Sequence, residues 1–250
     1  MVLLYIMIVE TEAIVLNSMK YGDTSKIVSL FTKSFGKVSV LAKGSRKAKN
    51  KFGSSLEPLS YSSVSFYNNP NRDLKILADS ELFIPLRKIP ESFEHLSAGL
   101  ILSEAITQVI DINEINLELF EIVSEILIRL NELLPYPYNY STYFQIKLAE
   151  ILGFALDLEV YDNGKNELYF SFSNGCFNKE NNSMSLVYKF DINVARKLSE
   201  IGRTEFNLLS SIECSNQFTA KLNDFFVRYF SFHLDKKYSY KTLNLFNSLL

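Results

Sequence analysis

The chain has 250 residues, of which 47% are apolar and 22% charged, and its net charge is -2. This is the composition of a soluble globular protein with one large domain or two to three small ones. Its two cysteines, Cys176 and Cys214, fit no paired motif, which excludes a disulfide framework or a cysteine zinc site and fits a reducing cytoplasm.

Positive charge is concentrated near the start of the chain. Residues 1–60 hold nine Lys and Arg against four Asp and Glu, whereas the other 190 residues hold 17 against 24. This asymmetry is expected when one part of a protein meets nucleic acid and another part meets proteins. The alternative is a solvated surface whose charge is merely uneven.

The first third of the chain is predicted to consist of strands and turns. The apolar run 1–9 is far shorter than the roughly 20 residues that span a bilayer, so we interpret it as a leading strand or, in part, as an upstream extension before a start at Met7. Five short strands follow, with turns between them, at 13–16, 26–32, 37–41, 59–67 and 74–83. One long loop after the third strand is typical of a Greek-key barrel of the OB type.

That long loop carries the charge. Within nine residues and with no acid among them, it contains Lys43, Arg46, Lys47, Lys49 and Lys51. Gly44 and Gly53 give its backbone freedom, so we expect an exposed loop. We predict that the five cations contact DNA phosphates and that Lys26, Lys33 and Lys37 extend their field.

Exposed aromatic side chains near the loop could stack on bases. The candidates are Tyr21, Phe31, Phe35, Phe52, Tyr61 and Phe66. For any given one of them, burial in the core is the favoured interpretation.

Beyond a connector with Pro85 and Pro90 the pattern becomes helical. Helices are predicted at 92–110, 114–134, 141–152, 193–201, 217–233 and after residue 240. A turn-rich insertion of irregular and β structure is predicted at about 157–190, with strand-like runs at 168–172 and 184–188. The sequence therefore predicts an α+β multidomain protein, with an OB-fold domain at 1–84 and a helical partner-binding domain at 85–250.

No catalytic constellation is evident. His95 and His233 have no Cys, His or carboxylate at metal-ligand spacing, and no phosphate-cradling glycine loop or nucleophile motif occurs. Carboxylates four apart at Glu121 and Glu125 are interpreted as a solvated helix face. A binding protein is favoured over an enzyme, and its cationic loop favours DNA as the ligand. The alternatives are an OB-fold adaptor for protein or carbohydrate, and a metal-dependent nuclease.

Several segments, taken in order, resemble the RecO family of recombination mediators. In the N-terminal part they are 12–16, 21–24, 27–32, 35–39, 42–47 and 51–58. In the remainder they are 148–154, 174–177, 228–234 and 240–243. The resemblance covers nearly the whole chain and implies an OB domain followed by a helical domain.

The resemblance also implies an activity and partners. Proteins of this family bind single- and double-stranded DNA, anneal complementary strands, and act with RecR to replace single-strand-binding protein by the RecA recombinase. The helical domain is then expected to dock partners, including the acidic, Phe-ended tail of single-strand-binding protein, in an apolar pocket beside a cation. A bacterial cytoplasmic protein, associated with the nucleoid during repair, is implied.

Many members of the family carry a four-cysteine zinc module where this chain has residues 158–182. Here that stretch contains the single cysteine Cys176, so the chain looks like the zinc-free form and no metal or other cofactor is expected.

Overall fold

A computed structural model describes residues 7–161, 164, 166–178 and 186–243. The chain divides into two compact units. The first unit comprises the residues up to Glu91 together with Ser103–Glu132, and the second comprises Ser92–Leu102 together with the residues from Leu133 onward. The predicted α+β fold is confirmed, with a five-stranded OB-type barrel, helices and a small additional sheet. The division at residue 84 stays a prediction.

Five strands form the closed barrel of the first unit. They are β1 (Met7–Tyr21), β2 (Ser25–Thr32), β3 (Gly36–Ala42), β4 (Tyr61–Asn68) and β5 (Leu74–Ile84). Their order around the barrel is β1-β2-β3-β5-β4, and β1 pairs with β4 to close it. All neighbours are antiparallel except β3 and β5. Closure removes the unpaired edges that an open sheet would expose.

The interior of the barrel is filled by alternate residues of each strand. Val28 and Leu30 of β2 and Val38 and Val40 of β3 are fully or almost fully buried in one cluster, so the residues between them face outward. Strand β1 is far longer than the predicted 13–16, because its first half pairs with β4 and its second half with β2. That pairing is tertiary, and the local apolar pattern does not contain it.

Helix packing covers one outward row of the barrel. Ile14 pairs with both Phe31 and Tyr61 on the outer face, and all three are buried. Phe120 of the second helix covers them, with its ring 5.7 Å from that of Phe31 and 6.0 Å from that of Tyr61. A carboxylate reinforces this region, since Glu12 accepts hydrogen bonds from Lys33, at 2.8 Å, and from the Tyr61 hydroxyl.

Five α-helices are described. They are α1 (Phe93–Val109), α2 (Leu117–Leu130), α3 (Tyr138–Ile151), α4 (Ile192–Arg203) and α5 (Asn216–His233). Asn116, Asp191 and Ser215 cap the amino ends of α2, α4 and α5 through side-chain oxygens. The described helices are all too short or too polar to cross a bilayer. A helix was predicted after residue 240, and its far end, residues 244–250, lies outside the described residues.

A three-stranded antiparallel sheet forms the insertion of the second unit. Its strands are β6 (Glu167–Ser171), β7 (Cys176–Asn178) and β8 (Val187–Asp191), in the order β7-β6-β8. The sheet packs on α5, with the rings of Phe170 and Phe225 5.1 Å apart. Strand β7 was not predicted from the sequence, because three residues are too few to show the apolar–polar alternation of a strand. Residues 184–185 of the predicted strand 184–188 lie outside the described residues.

One glycine is fixed by a close contact in the first unit. Gly36, in the turn between β2 and β3, has φ of +64°. A Cβ atom there would lie 2.0 Å from the carbonyl oxygen of Glu114. The following residue, Lys37, accepts a 2.9 Å hydrogen bond from the Asn113 amide, so the loop before α2 is held against this turn.

We expect Gly36→Ala to lower the free energy of unfolding by about 2 kcal/mol or more, because a left-handed conformation and a backbone clash add. Gly22→Ala is the matched control, since Gly22 has φ of +55° in another hairpin turn but open space around it. It is expected to cost about 1 kcal/mol. Urea unfolding measures both, and equal losses would contradict the role of the Glu114 contact.

Candidate nucleic-acid interface

The basic segment between β3 and β4 is a folded cap. We define the cap as residues 43–60. Phe52 and Leu56 are 4% and 2% exposed and belong to the barrel core, so they close one end of the barrel. The expectation of an exposed loop is confirmed for residues 43, 46–49, 51 and 53, which are exposed, and the buried side chains of Phe52 and Leu56 fasten the segment to the barrel.

Polar groups hold the inner side of the cap. The Ser55 hydroxyl lies 2.8 Å from that of Ser80 on β5, and Ser62 of β4 donates to the Ser55 carbonyl at 2.8 Å. The Asn50 side-chain oxygen accepts from the amides of Phe52 and Gly53 at 3.0 and 2.8 Å, which fixes the turn before the buried ring. The cap is thus fastened to two strands and to itself.

Arg46 joins the cap to the hairpin between β1 and β2. Its backbone amide donates to the Thr24 carbonyl and its Nη1 atom to the Gly22 carbonyl, both at 2.9 Å. The side chain remains exposed. Arg46 therefore fixes the hairpin tip beside the cap while its charge stays at the surface.

Three predicted site residues present free charge. Lys43, Lys47 and Lys49 are exposed, and within the described part of the chain their ammonium groups form no ion pair or hydrogen bond. The cap holds five cations against one carboxylate, Glu57. A polyanion could therefore bind these three lysines without breaking an existing ion pair or hydrogen bond.

The other predicted cations have partners in the protein. Lys26 is mostly buried and pairs with Glu57 at 2.8 Å, and Lys51 lies 3.6 Å from Asp79 and donates to the Ala78 carbonyl. Lys37 lies at the opposite end of β3, where its ammonium group donates to the Thr107 carbonyl at 2.9 Å. The structure gathers the cap cations and Lys26 and places Lys37 apart from them. Lys33 also lies apart from the cap cations, and its ammonium group pairs with Glu12.

The aromatic candidates for base stacking are mostly core residues. Phe31, Phe52, Tyr61 and Phe66 are between 0% and 5% exposed, so these four cannot stack on a base, and Phe35 is partly buried and packs against the core. Tyr21, at the end of β1, is 52% exposed and is the candidate that the structure leaves accessible. Alternation alone could not separate these cases, because the outward face is covered in one region and open in another.

The histidines of the second unit serve structure. The His95 ring is buried, with Nδ1 2.7 Å from the Ser92 hydroxyl and Nε2 2.9 Å from the Leu134 carbonyl oxygen. His233 stacks on Phe154 and bonds the Phe172 carbonyl, and burial lowers its pKa. In the described ranges no three His, Cys, Asp or Glu side chains gather as metal ligands. The residues do not fit the four-cysteine module, because the chain holds two cysteines in all.

An apolar groove lies on the second unit. A partner pocket was expected in the helical domain, but the residues that form it were not predicted. The groove has a volume of about 380 Å³ and lies between the sheet and α5, lined by Phe172, Leu186, Val187, Tyr188, Val227, Arg228, Ser231 and Phe232.

Arg228 lies at this groove over the ring of Tyr188, 5.8 Å from its centre, and its Nε atom pairs with Asp224 at 3.1 Å. Burial and a hydrogen bond to Asp224 raise the pKa of Tyr188, so its hydroxyl stays a donor. In the sequence, Arg228 lies within the aromatic run 225–232, and this is the signal that could have indicated the groove.

The fold defines a class of protein in which an OB-type barrel with a cationic cap precedes a helical part with a small sheet. The chain belongs to the RecO family. A family profile described as "Recombination protein O N terminal" matches residues 7–85, and one described as "Recombination protein O C terminal" matches residues 90–241. The family places the protein in recombinational DNA repair and confirms the resemblance.

Individual relatives support the same assignment. Proteins named DNA repair protein RecO include one from Thermodesulfovibrio yellowstonii, 30% identical over 224 residues, covering 86% of this chain and 89% of the relative. One from Chlorobium phaeobacteroides is 28% identical over 250 residues, covering 91% and 93%. A third from Salinibacter ruber is 38% identical over 148 residues, which span 59% of this chain and 57% of the relative, less than two thirds of its length.

We expect Phe52→Ala to lower the free energy of unfolding by about 3 kcal/mol, because it empties the end of the barrel and detaches the cap. Lys49→Ala, three residues away and exposed, is the control and should change stability by less than about 0.5 kcal/mol. Urea unfolding followed by circular dichroism measures both. A Phe52 variant as stable as the parent would show that the cap does not close the barrel.

Proposed function

We propose that this protein is a non-catalytic DNA-binding protein that anneals complementary single strands. The observation that carries the proposal is the set of unpaired cations Lys43, Lys47 and Lys49 on a cap fastened into the barrel. Arg46 adds charge beside them, and the predicted contacts Lys26 and Lys51 pair with Glu57 and Asp79. Lys37 stays a predicted contact at some distance. Membership of the RecO family and the repair proteins among its relatives support the proposal.

The mechanism is electrostatic. Phosphates that contact the cap release their counterions, which favours binding of either strand regardless of sequence. Two strands held on one cationic surface repel each other less, so base pairing can select the complement. The buried anchors Phe52 and Leu56 keep the cations in place, so less side-chain and loop entropy is lost when DNA binds.

Absence of catalysis is part of the proposal. Both histidines are engaged in hydrogen bonds that hold structure, and the carboxylate of Glu12 is bound by Lys33 and Tyr61. The pKa of Glu12 is lowered, since these hydrogen bonds outweigh the effect of burial, so this carboxylate is unsuited to general acid catalysis. We propose no metal and no other cofactor.

The groove beside α5 suits the acidic, Phe-ended tail of single-strand-binding protein. Phe172, Val227 and Phe232 offer an apolar surface for a ring, and Arg228 offers a cation for the terminal carboxylate. The Nε atom of Arg228 carries the ion pair with Asp224, and within the described residues its terminal Nη atoms make no hydrogen bond. This groove is our candidate for the partner pocket.

Further partners belong to the same proposal. We propose that the protein acts with RecR in the bacterial cytoplasm, at the nucleoid during repair, and thereby helps RecA replace single-strand-binding protein on gapped DNA. The helical domain, predicted at 85–250, would make these protein contacts. The cap would hold single- or double-stranded DNA.

The triple variant K43Q/K47Q/K49Q is expected to lower affinity for DNA strongly at moderate salt. Three lost phosphate contacts should reduce the slope of log affinity against log salt by about 2 for single strands. Fluorescence anisotropy with labelled oligonucleotides at several salt concentrations measures both quantities.

The control K88Q/K221Q/K237Q removes the same charge from exposed lysines elsewhere and should leave the salt slope nearly unchanged. Equal effects of the two triples would show that binding reports net charge and not the cap. Parent protein that binds no DNA at low salt would favour the adaptor for protein or carbohydrate. Cleavage of the oligonucleotide with added Mg²⁺ would favour a nuclease.

Arg228→Gln is expected to weaken binding of a synthetic acidic peptide ending in Phe by roughly 10-fold, because it removes a charged hydrogen-bond donor. Lys221→Gln, on the same helix but outside the groove, is the matched control and should bind like the parent. Calorimetric titration measures both. Equal binding of the peptide to both variants would show that its binding site lies elsewhere on the protein.

A further inference from the structure

One carboxylate lies within the cationic cap, and it holds a lysine that was predicted to contact DNA. Glu57 is the only Asp or Glu among residues 43–60, and its Oε1 atom lies 2.8 Å from the ammonium group of Lys26 on β2. Within the described part of the chain, Lys43, Lys47 and Lys49 have no such partner. A carboxylate therefore distinguishes Lys26 from the free cations of the cap.

Lys26 lies among cations at this end of the barrel. It pairs in register with Ala42, the residue before Lys43, and on its other side with Lys20 of β1. Lys20 is exposed and forms no ion pair with any residue that the structure describes. Because like charges directly opposite each other across two strands repel, Lys26 is stabilised there by an anion, and Glu57 supplies it. A DNA phosphate at the same place would supply the same charge.

The backbone of the cap fixes Glu57 in this position. Its amide donates to the Ser54 carbonyl at 3.2 Å, and its carbonyl accepts from the Ser60 amide at 3.0 Å. The preceding residue, Leu56, is buried in the barrel core. The carboxylate is therefore held near Lys26 by the fold itself, whereas a DNA strand must lose conformational freedom to bring a phosphate there.

Burial decides which of the two ion pairs at the cap can compete with DNA. The side chain of Lys26 is 18% exposed and that of Glu57 is 56% exposed, so solvent screens this pair only in part. In the other pair, Lys51 and Asp79 are 61% and 71% exposed and lie 3.6 Å apart, and exposed pairs of this kind contribute little. A phosphate can therefore bind Lys51 readily, but it must displace Glu57 to bind Lys26.

We propose that Glu57 is an internal competitor of DNA phosphate for Lys26, and that it thereby sets the affinity of the cap for DNA. The inference rests on the proposed function and deepens it, because it assigns to a carboxylate the role of keeping bound strands releasable. While Glu57 occupies Lys26, fewer counterions are released when a strand binds, so the strand is held less tightly. An annealed product can then leave the surface that held its two strands.

Two simpler roles for Glu57 lead to different results. If the pair only fastens the cap to β2, loss of Glu57 lowers the free energy of unfolding and leaves the salt dependence of DNA binding unchanged. If Glu57 acts only through net charge, Asp23 is its equal, since Asp23 is exposed in the hairpin that Arg46 bonds and has no ion pair in the described ranges. Asp23→Asn is therefore the matched control.

The test is a double-mutant cycle, measured by fluorescence anisotropy with a labelled thymidine oligonucleotide. Glu57→Gln should steepen the slope of log affinity against log salt by about 0.7, which corresponds to roughly five-fold tighter binding at about 0.1 M salt. Lys26→Gln should weaken binding far more in the Glu57→Gln background than in the parent, because only there is the ammonium group free for a phosphate. Asp23→Asn should leave the slope unchanged and show no coupling to Lys26→Gln.

Glu57→Asp gives a second measure at constant net charge. Its side chain is one methylene shorter, which moves the carboxylate away from Lys26, so its salt slope should lie between those of the parent and Glu57→Gln. Urea unfolding checks that each variant remains folded, and Glu57→Asp decides the question if Glu57→Gln does not fold.

Three results would count against the inference. Equal losses of affinity on Lys26→Gln in the parent and in the Glu57→Gln background would overturn it, as would equal salt slopes for Glu57→Gln and Asp23→Asn. Either result leaves the cap proposal standing, because the free lysines are unaltered in all of these variants. Parent protein that binds no oligonucleotide at low salt would overturn both.

Discussion

Closure of one end of the barrel by Phe52 and Leu56 is the contact on which the proposed DNA surface depends. It converts a cation-rich segment into a fixed cap. A segment with five cations would otherwise repel itself and extend into solvent. Because the apolar anchors lie within the barrel core, mutual repulsion among Lys43, Lys47 and Lys49 is opposed by burial, and their charges stay concentrated at one end of the domain.

The same closure explains why a charged surface and an apolar surface can coexist in so small a domain. Strand alternation sends one set of residues to the core, and the opposite set is divided between a part that α2 covers and a part that stays open. Arg46 then links the open part to the cap. Chemistry that differs from one side of the barrel to the other therefore follows from register and from the placement of a single helix.

Much of this architecture could be predicted from sequence, and the failures share one cause. The strands of the barrel and the helices show in local periodicity, and the order of segments indicated the family. Burial was favoured for the aromatic candidates as a group, but which of them are buried could not be predicted, because burial of a residue such as Phe52 requires a barrel that is already closed. The contact of Lys37 with the Thr107 carbonyl is equally non-local, since it joins residues 70 apart in the chain. Of the six aromatic candidates, Tyr21 is exposed and Phe35 is partly buried, and tertiary contacts bury the other four.

The cations of the cap lie on a rigid surface, and this bears on what a bound strand can still do. On the proposed function, Lys43, Lys47 and Lys49 contact phosphates, and phosphate contacts carry no sequence information. A strand held by its backbone keeps its Watson–Crick edges free, so the protein can retain the strand without hiding the information that its complement must read.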